Sequence, residues 1–103
     1  MKTIAGFILF LGLIACSGKS TNGKTLLVDV RPEGIWRQGH ARTGVNIPLP
    51  ELEKHKQELL QYDTVIFVCE SGESAQQATS YMNAQKEHET VFKNGISWTR
   101  YAN

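Results

Sequence analysis

Thr64-Val65-Ile66-Phe67-Val68-Cys69-Glu70-Ser71-Gly72-Glu73-Ser74-Ala75-Gln76-Gln77-Ala78-Thr79-Ser80-Tyr81-Met82 is the stretch on which the fold turns. It opens as an apolar run rich in β-branched residues, the composition of a buried strand. Cys69 closes that run, and Glu70-Ser71-Gly72-Glu73 forms a short polar loop. Ser74 to Met82 then reads as a helix, with Ala75, Ala78 and Met82 on one stripe and Tyr81 beside it. Small residues at its start allow close packing on a sheet. A strand, a Cys, a Gly-containing loop and a helix aim backbone N–H groups and the positive end of a helix dipole at one sulfur. Such a site stabilises a thiolate or a charged sulfur adduct. A buried structural Cys is the plainer alternative, because free Cys is among the most buried residue types. A core strand has no need of a Gly loop directly after it, which favours the reactive reading.

The same alternation extends in both directions. Upstream, Leu26-Leu27-Val28-Asp29-Val30 is a short apolar strand. Pro32 is placed for a helix first turn, and Gly34-Ile35-Trp36-Arg37-Gln38 continues as a weak helix. Gly39 to Gly44 is a loop, and Val45-Asn46-Ile47 a strand stopped by Pro48. Pro50 to Gln61 is predicted as an amphipathic helix with Leu52, Leu59 and Leu60 inward and Lys54, Lys56 and Glu58 elsewhere. Downstream, Thr90-Val91-Phe92 reads as a last short strand, and Gly95 to Tyr101 as a helical turn or two. Strands alternating with helices predict an α/β fold, a small parallel sheet of about four to five strands with helices on both faces. Ligands of such sheets bind at the carboxyl ends of strands, where Cys69 lies.

The first residues suggest a compartment. Met1-Lys2 is a minimal positive segment, and Thr3 to Ile14 is apolar apart from Thr3 and two glycines. This run is too short to span a bilayer, which takes about 20 apolar residues. Leu13-Ile14-Ala15-Cys16 then resembles the lipobox of a bacterial lipoprotein signal, with cleavage before Cys16 and lipid on its sulfur. An ordinary secretory signal with a Cys near its cleavage site is the simpler alternative. The expected organisation is a signal peptide over 1–15, a lipidated Cys16 with a flexible polar tether over 16–24, and one domain over 25–103. The protein is then an extracytoplasmic, membrane-anchored lipoprotein of a bacterial periplasm or cell envelope. The chain has two cysteines, so lipidation of Cys16 leaves Cys69 without an intramolecular partner. A lone thiol in an oxidising compartment is a liability unless it is used.

The formal net charge is +1, and loss of Lys2 with the signal brings it to about zero. No basic stripe marks a nucleic-acid partner. His40, His55 and His88 show no metal-ligand spacing, and no metal or organic cofactor is expected. The domain is expected to be a monomer.

Along almost the whole mature chain the residues resemble rhodanese-like sulfurtransferase domains. Leu27-Val28-Asp29-Val30-Arg31 is similar to that family's strand end. Glu33, Trp36, Gly39-His40 and Gly44-Val45-Asn46-Ile47-Pro48 follow in order, with Val45 where Ala is usual. Val68 to Ala78 falls on the family's Cys loop and helix, and Asn94-Gly95-Ile96 with Trp98 on its closing Gly-Gly and Trp, Asn94 replacing the first Gly. The family's extra N-terminal strand has no counterpart, which makes the chain most like short, exported single-domain rhodaneses of the phage-shock type. The resemblance implies that Cys69 takes sulfane sulfur from a small donor as a persulfide and passes it to cyanide or a thiol. It places Glu70, Ser71, Gly72, Glu73, Ser74 and Ala75 in the active loop. Asp29, Arg31 and His40 become supporting residues, with an Asp–Arg pair shaping a strand end as their main work. Trp36 and Trp98 are expected in packing.

Ser74 stands where thiosulfate-type rhodaneses commonly carry a loop Arg. Glu70 and Glu73 add two negative charges, which should oppose the helix dipole, disfavour a charged sulfur and repel a dianion. Glu73 also suits a helix first turn. The Cys-x-Ser-Gly-x-Ser-Ala shape resembles the mercaptopyruvate sulfurtransferase loop, so thiosulfate is not the expected donor. A Cys phosphatase or arsenate reductase would need an anion-clamping Arg at the loop's end. A non-catalytic rhodanese-like binding module and a persulfide carrier remain as alternatives.

Overall fold

The structure, a computed structural model, describes residues 23–102. The expected signal segment, Cys16 and the expected tether up to residue 22 lie outside the described residues. In chain order come strand β1 (Thr25–Asp29), the short helix α1 (Glu33–Trp36), strand β2 (Val45–Asn46) and a 3-10 segment (Leu49–His55). Helix α2 (Lys56–Leu59), strand β3 (Thr64–Cys69), helix α3 (Glu73–Asn83), strand β4 (Val91–Ser97) and a 3-10 turn (Trp98–Tyr101) follow. The strands form one sheet in the order β2-β1-β3-β4, and every pairing is parallel. This is the α/β sheet that the alternating pattern predicts.

Period-two alternation along the strands sorts the core onto two faces. Val28, Val65, Phe67 and Cys69 point to one side, where Leu52, Leu59, Ala75, Ala78 and Met82 cover them. Phe67, Leu59, Met82, Val28 and Val65 are fully buried, each contributing about 1.5–3 kcal/mol over an exposed position. Leu27 and Val68 point to the other side and pack with Ala41, Ile66, Trp98 and Tyr101. The alanines of α3 let its axis approach the sheet, as their spacing implies.

Two elements differ from expectation. The segment predicted as one helix from Pro50 is a 3-10 run through His55 and becomes α-helical only at Lys56. Pro50 lacks an N–H, and no side chain caps the start. Leu52 and Leu59 nevertheless reach the core. The last strand is longer than predicted and runs to Ser97, through Gly95. There the register slips, so Phe67 pairs with Asn94 and Val68 with Ile96. Gly95 is the extra residue of this bulge, and a Cβ on it would lie 2.6 Å from Ile66 Cγ2 and 2.9 Å from the Tyr101 hydroxyl. A glycine read as a break is therefore a point of close approach. At the other end, Lys24 is held by the fold, its carbonyl accepting from the N–H groups of Asp63 and Thr64.

Candidate active site

The carboxyl ends of the neighbouring strands β1 and β3 lie side by side, with Asp29 opposite Val68. This register puts Asp29 and Arg31 beside Cys69 and Glu70. The chain turns sharply after Cys69 because Gly72 adopts φ +100°, a conformation that Gly enters without strain. Gly72 is also the N-cap of α3, so the helix begins directly against the sulfur.

Cys69 Sγ accepts hydrogen bonds from the Gly72 N–H at 3.0 Å and the Ala75 N–H at 3.3 Å. Both donors belong to the loop and first turn of α3, whose leading N–H groups have no intrahelical acceptor. They act with the helix dipole on the same atom. The thiol is only 5% exposed and opens onto a cavity of about 190 Å³ lined by Arg31, Pro32, Ile35, Glu70, Ser71, Glu73 and Ser74. A second cavity of similar volume, lined by Arg31, Ile35, Gln38, Gly39, Glu70 and Trp98, shares three of those residues. The sulfur thus sits at the floor of a shallow groove, cradled by oriented dipoles, with room above it for one further atom and its donor.

Arg31 walls this groove and is itself 5% exposed. Its Nε and Nη2 donate to the Asp29 carboxylate at 2.8–3.1 Å, and Nη2 also donates to the Gly39 carbonyl at 2.8 Å. Nη1 donates to Glu70 at 3.1 Å, and the guanidinium lies over the Trp98 ring at 4.7 Å. Hydrogen bonding to Asp29, against the opposing effect of burial, holds its pKa above the ordinary guanidinium value. The Glu70 carboxylate therefore turns to Arg31, and its charge is offset there. This corrects the expectation that both loop carboxylates bear on the sulfur. Glu73 is the first residue of α3, is exposed, and remains as the acidic rim.

A profile of the family described as "Rhodanese-like domain" matches residues 16–100. The chain belongs to this family. A protein of Bacillus subtilis (strain 168) named as a candidate sulfur carrier, YrkF, is 34% identical over 59 residues, which is 57% of this chain. The match spans only 32% of that relative's own length. A solved structure described as a rhodanese with anions, from E. coli, superposes with a TM-score of 0.63 at 23% identity. That comparison covers 73% of this chain and 88% of the other, and it bears on the fold alone.

Within this rhodanese-like domain, most of the residues singled out from the sequence converge. Cys69, Glu70, Ser71, Glu73, Ser74 and Arg31 line one cavity, while Gly72 and Ala75 supply the sulfur's donors. Asp29 lies behind Arg31 and also accepts the Arg31 backbone N–H. His40 lines neither cavity. It stacks on Trp36 at 4.0 Å between ring centroids, and its Nδ1 donates to the Ala41 carbonyl. Among the described residues no group of three or more His, Cys, Asp or Glu could hold a metal.

Sequence reasoning did not single out three contributors. Asn46 Nδ2 donates to the carbonyls of Asp29 and Arg31 and fixes the strand end that carries them. Ile35 is 45% exposed and presents an aliphatic side chain to both cavities. Asn94 reaches from β4 to the Cys loop. Asn46 carried a signal as part of the Gly44–Pro48 element and Asn94 as a polar residue in place of an expected Gly, whereas Ile35 carried none.

Proposed function

We propose that this domain is a sulfurtransferase that works through a Cys69 persulfide. The observation that carries the reading is the pair of N–H groups on Cys69 Sγ at the floor of an open cavity. The Cys69 thiolate attacks the outer sulfur of a donor, a Cys69 S–S bond forms, and the donor's own S–S or C–S bond breaks. The leaving group departs with the bonding pair. A cyanide or thiolate acceptor then attacks the outer sulfur of the persulfide and regenerates the Cys69 thiolate. One sulfur atom moves in each half-reaction, with no external oxidant or reductant. The cradle stabilises negative sulfur at each stage by dipoles already in place.

Charge around the groove argues for a donor class. Among the described residues, Arg31 is the one basic side chain lining either cavity, and it is held by Asp29 and Glu70. Glu73 adds an uncompensated rim charge. A dianion such as thiosulfate finds no free cation, whereas a singly charged donor such as mercaptopyruvate or an alkyl persulfide, with its carbon body against Ile35, meets less repulsion. The test is the intact mass of a Cys16→Ser chain, in which Cys69 is the single thiol, after exposure to each donor and then to cyanide. A gain of one sulfur atom that cyanide removes is expected, fastest with the less charged donors. No adduct from any donor on a Cys69 that still alkylates would leave a binding module. A persulfide that forms but passes only to a protein thiol would instead mark a carrier, the role for which YrkF is named.

Location belongs to the same proposal. A lipid on Cys16 would hold the domain at an extracytoplasmic membrane surface, in the manner of short exported rhodaneses. In a bacterial host fed a fatty-acid analogue, the wild-type chain should carry the label and Cys16→Ala should not. An unlabelled wild type would refute the anchor.

A further inference from the structure

The geometry points to Asn94 as a positioning residue for the sulfur site, acting through the backbone of Gly72. This rests on the sulfurtransferase reading for its catalytic meaning. Asn94 lies on β4, one strand away from the Cys loop in the sheet, and it lines neither cavity at Cys69. Its Nδ2 donates to the Gly72 carbonyl at 3.1 Å and to Gln76 Oε1 at 3.2 Å. Its Oδ1 accepts the Ile96 N–H at 2.8 Å. Gly72 is the residue whose own N–H meets Cys69 Sγ at 3.0 Å. One side chain therefore grips the residue that supplies the nearer of the sulfur's two donors.

The β4 bulge explains why the grip needs this residue here. Slippage at Gly95 leaves Ile96 at φ +74°, a left-handed backbone that a β-branched residue avoids. The Asn94 Oδ1 bond to the Ile96 N–H closes an Asx turn across that bulge. It fixes Ile96 so that its Cγ2 lies 3.2 Å from the point a Gly72 Cβ would occupy. Gly72 is thus confined by Ile96, and its carbonyl is tethered by Asn94 Nδ2 as well as by the Gln76 backbone N–H of the first helical turn, at 2.9 Å. Its φ of +100° is held by neighbours rather than by its own preference, which is broad for glycine. Bulges beside active sites commonly re-aim a group in this way.

The test separates positioning from plain stabilisation by the sign of a rate. Asn94→Ser retains a side-chain oxygen for the Ile96 N–H, more weakly, but is too short to reach Gly72. In the full chain carrying Cys16→Ser, alkylation of Cys69 by neutral iodoacetamide at neutral pH should slow about tenfold. That is less than the 10²–10³ for deleting one stabilising donor, because the Gly72 N–H is displaced rather than removed. A merely structural role predicts the reverse, since loosening the loop would expose a buried sulfur and speed alkylation. Gln76→Ala, which keeps the Gly72 tie, should alkylate at the wild-type rate. Sulfur uptake by Asn94→Ser should fall in maximal rate with the half-saturating donor concentration unchanged. Alkylation of Asn94→Ser that is unchanged or faster, or an equal slowing in Gln76→Ala, overturns the proposal. Asn94→Gly, the residue the family resemblance expects at this position, repeats the comparison should the Ser variant not fold. Alkylation needs no sulfur donor, so a wild type that takes up no sulfur would refute the functional reading and leave this comparison intact.

Discussion

Cys69→Ser is expected to reduce sulfur uptake and transfer to background while the domain stays folded. A Ser hydroxyl cannot form the S–S bond on which both half-reactions depend, so the loss is chemical and complete. Deleting a nucleophile elsewhere lowers kcat by as much as about 10⁶-fold, far beyond any loss from a displaced cradle group. The fold should tolerate the change because a Ser oxygen at this position meets the same two donors, the N–H groups of Gly72 and Ala75. No buried hydroxyl is left unpaired, and the cost in stability should remain about 1 kcal/mol. Intact mass after donor exposure, with a thermal melt on the same sample, reads both quantities. Residual transfer above a few per cent of wild type in a folded Cys69→Ser domain would rule out the persulfide mechanism.

Arg31→Met should produce the largest loss of stability in the domain. Arg31 and Asp29 are both buried, and the substitution leaves the Asp29 carboxylate with only the backbone N–H of residue 31 as a partner. Removing one member of a buried pair typically costs about 3–5 kcal/mol. For a domain whose total stability is about 5–15 kcal/mol, this is a large fraction. In a domain of this size it lowers Tm on the order of 20 °C. The exposed Glu70 arm of the network contributes little to this figure, as its carboxylate is 66% exposed. Replacing both partners, with Asp29→Leu added, should recover part of the loss, because no uncompensated charge then remains buried. Urea unfolding of the single and double variants measures this. A single variant within 1 kcal/mol of wild type would show that the pair is not the structural tie described here. The Arg31 guanidinium should not add a titration step to stability near neutrality. The Arg31 pKa is raised, so its contribution is present below the ordinary guanidinium value and is lost only as pH climbs through the still higher folded value.

Local signals in the sequence served well where structure is set by neighbours along the chain. Strand β3 and helix α3 match their predicted extents within a residue or two, because an apolar β-branched run and a stripe of small residues at helical spacing each favour one outcome. The Cys loop lies between them and was readable for the same reason. Signals failed where the deciding contact is remote. The region from Leu49 to His55 carries an amphipathic pattern, yet Pro48 at its cap, Pro50 in its first turn and its packing under α3 tighten it into a 3-10 run. Gly95 punctuates the sequence, yet the sheet passes through it, since its lack of a Cβ is required by Ile66 and Tyr101.

The balance of charge at the site divides along the same line. Glu70 and Glu73 look equivalent in sequence, three residues apart on one loop. The fold gives Glu70 to Arg31, a residue 39 positions earlier, and leaves Glu73 on the rim. Asn94, read as a departure from a glycine motif, becomes a strut for Gly72 only after β4 pairs with β3 and the bulge turns its amide toward the loop.

Sequence by itself determined the α/β class, the strand–Cys–loop–helix unit and Cys69 as the atom to watch, because each follows from short-range periodicity and turn chemistry. Tertiary structure alone decided which groups surround that sulfur. The parallel register of β1 beside β3 brings Arg31 to Glu70, and the β4 bulge brings Asn94 to Gly72. Both contacts depend on strand pairing between segments far apart in the chain, whose register is set by burial across the whole sheet rather than by any local run of residues.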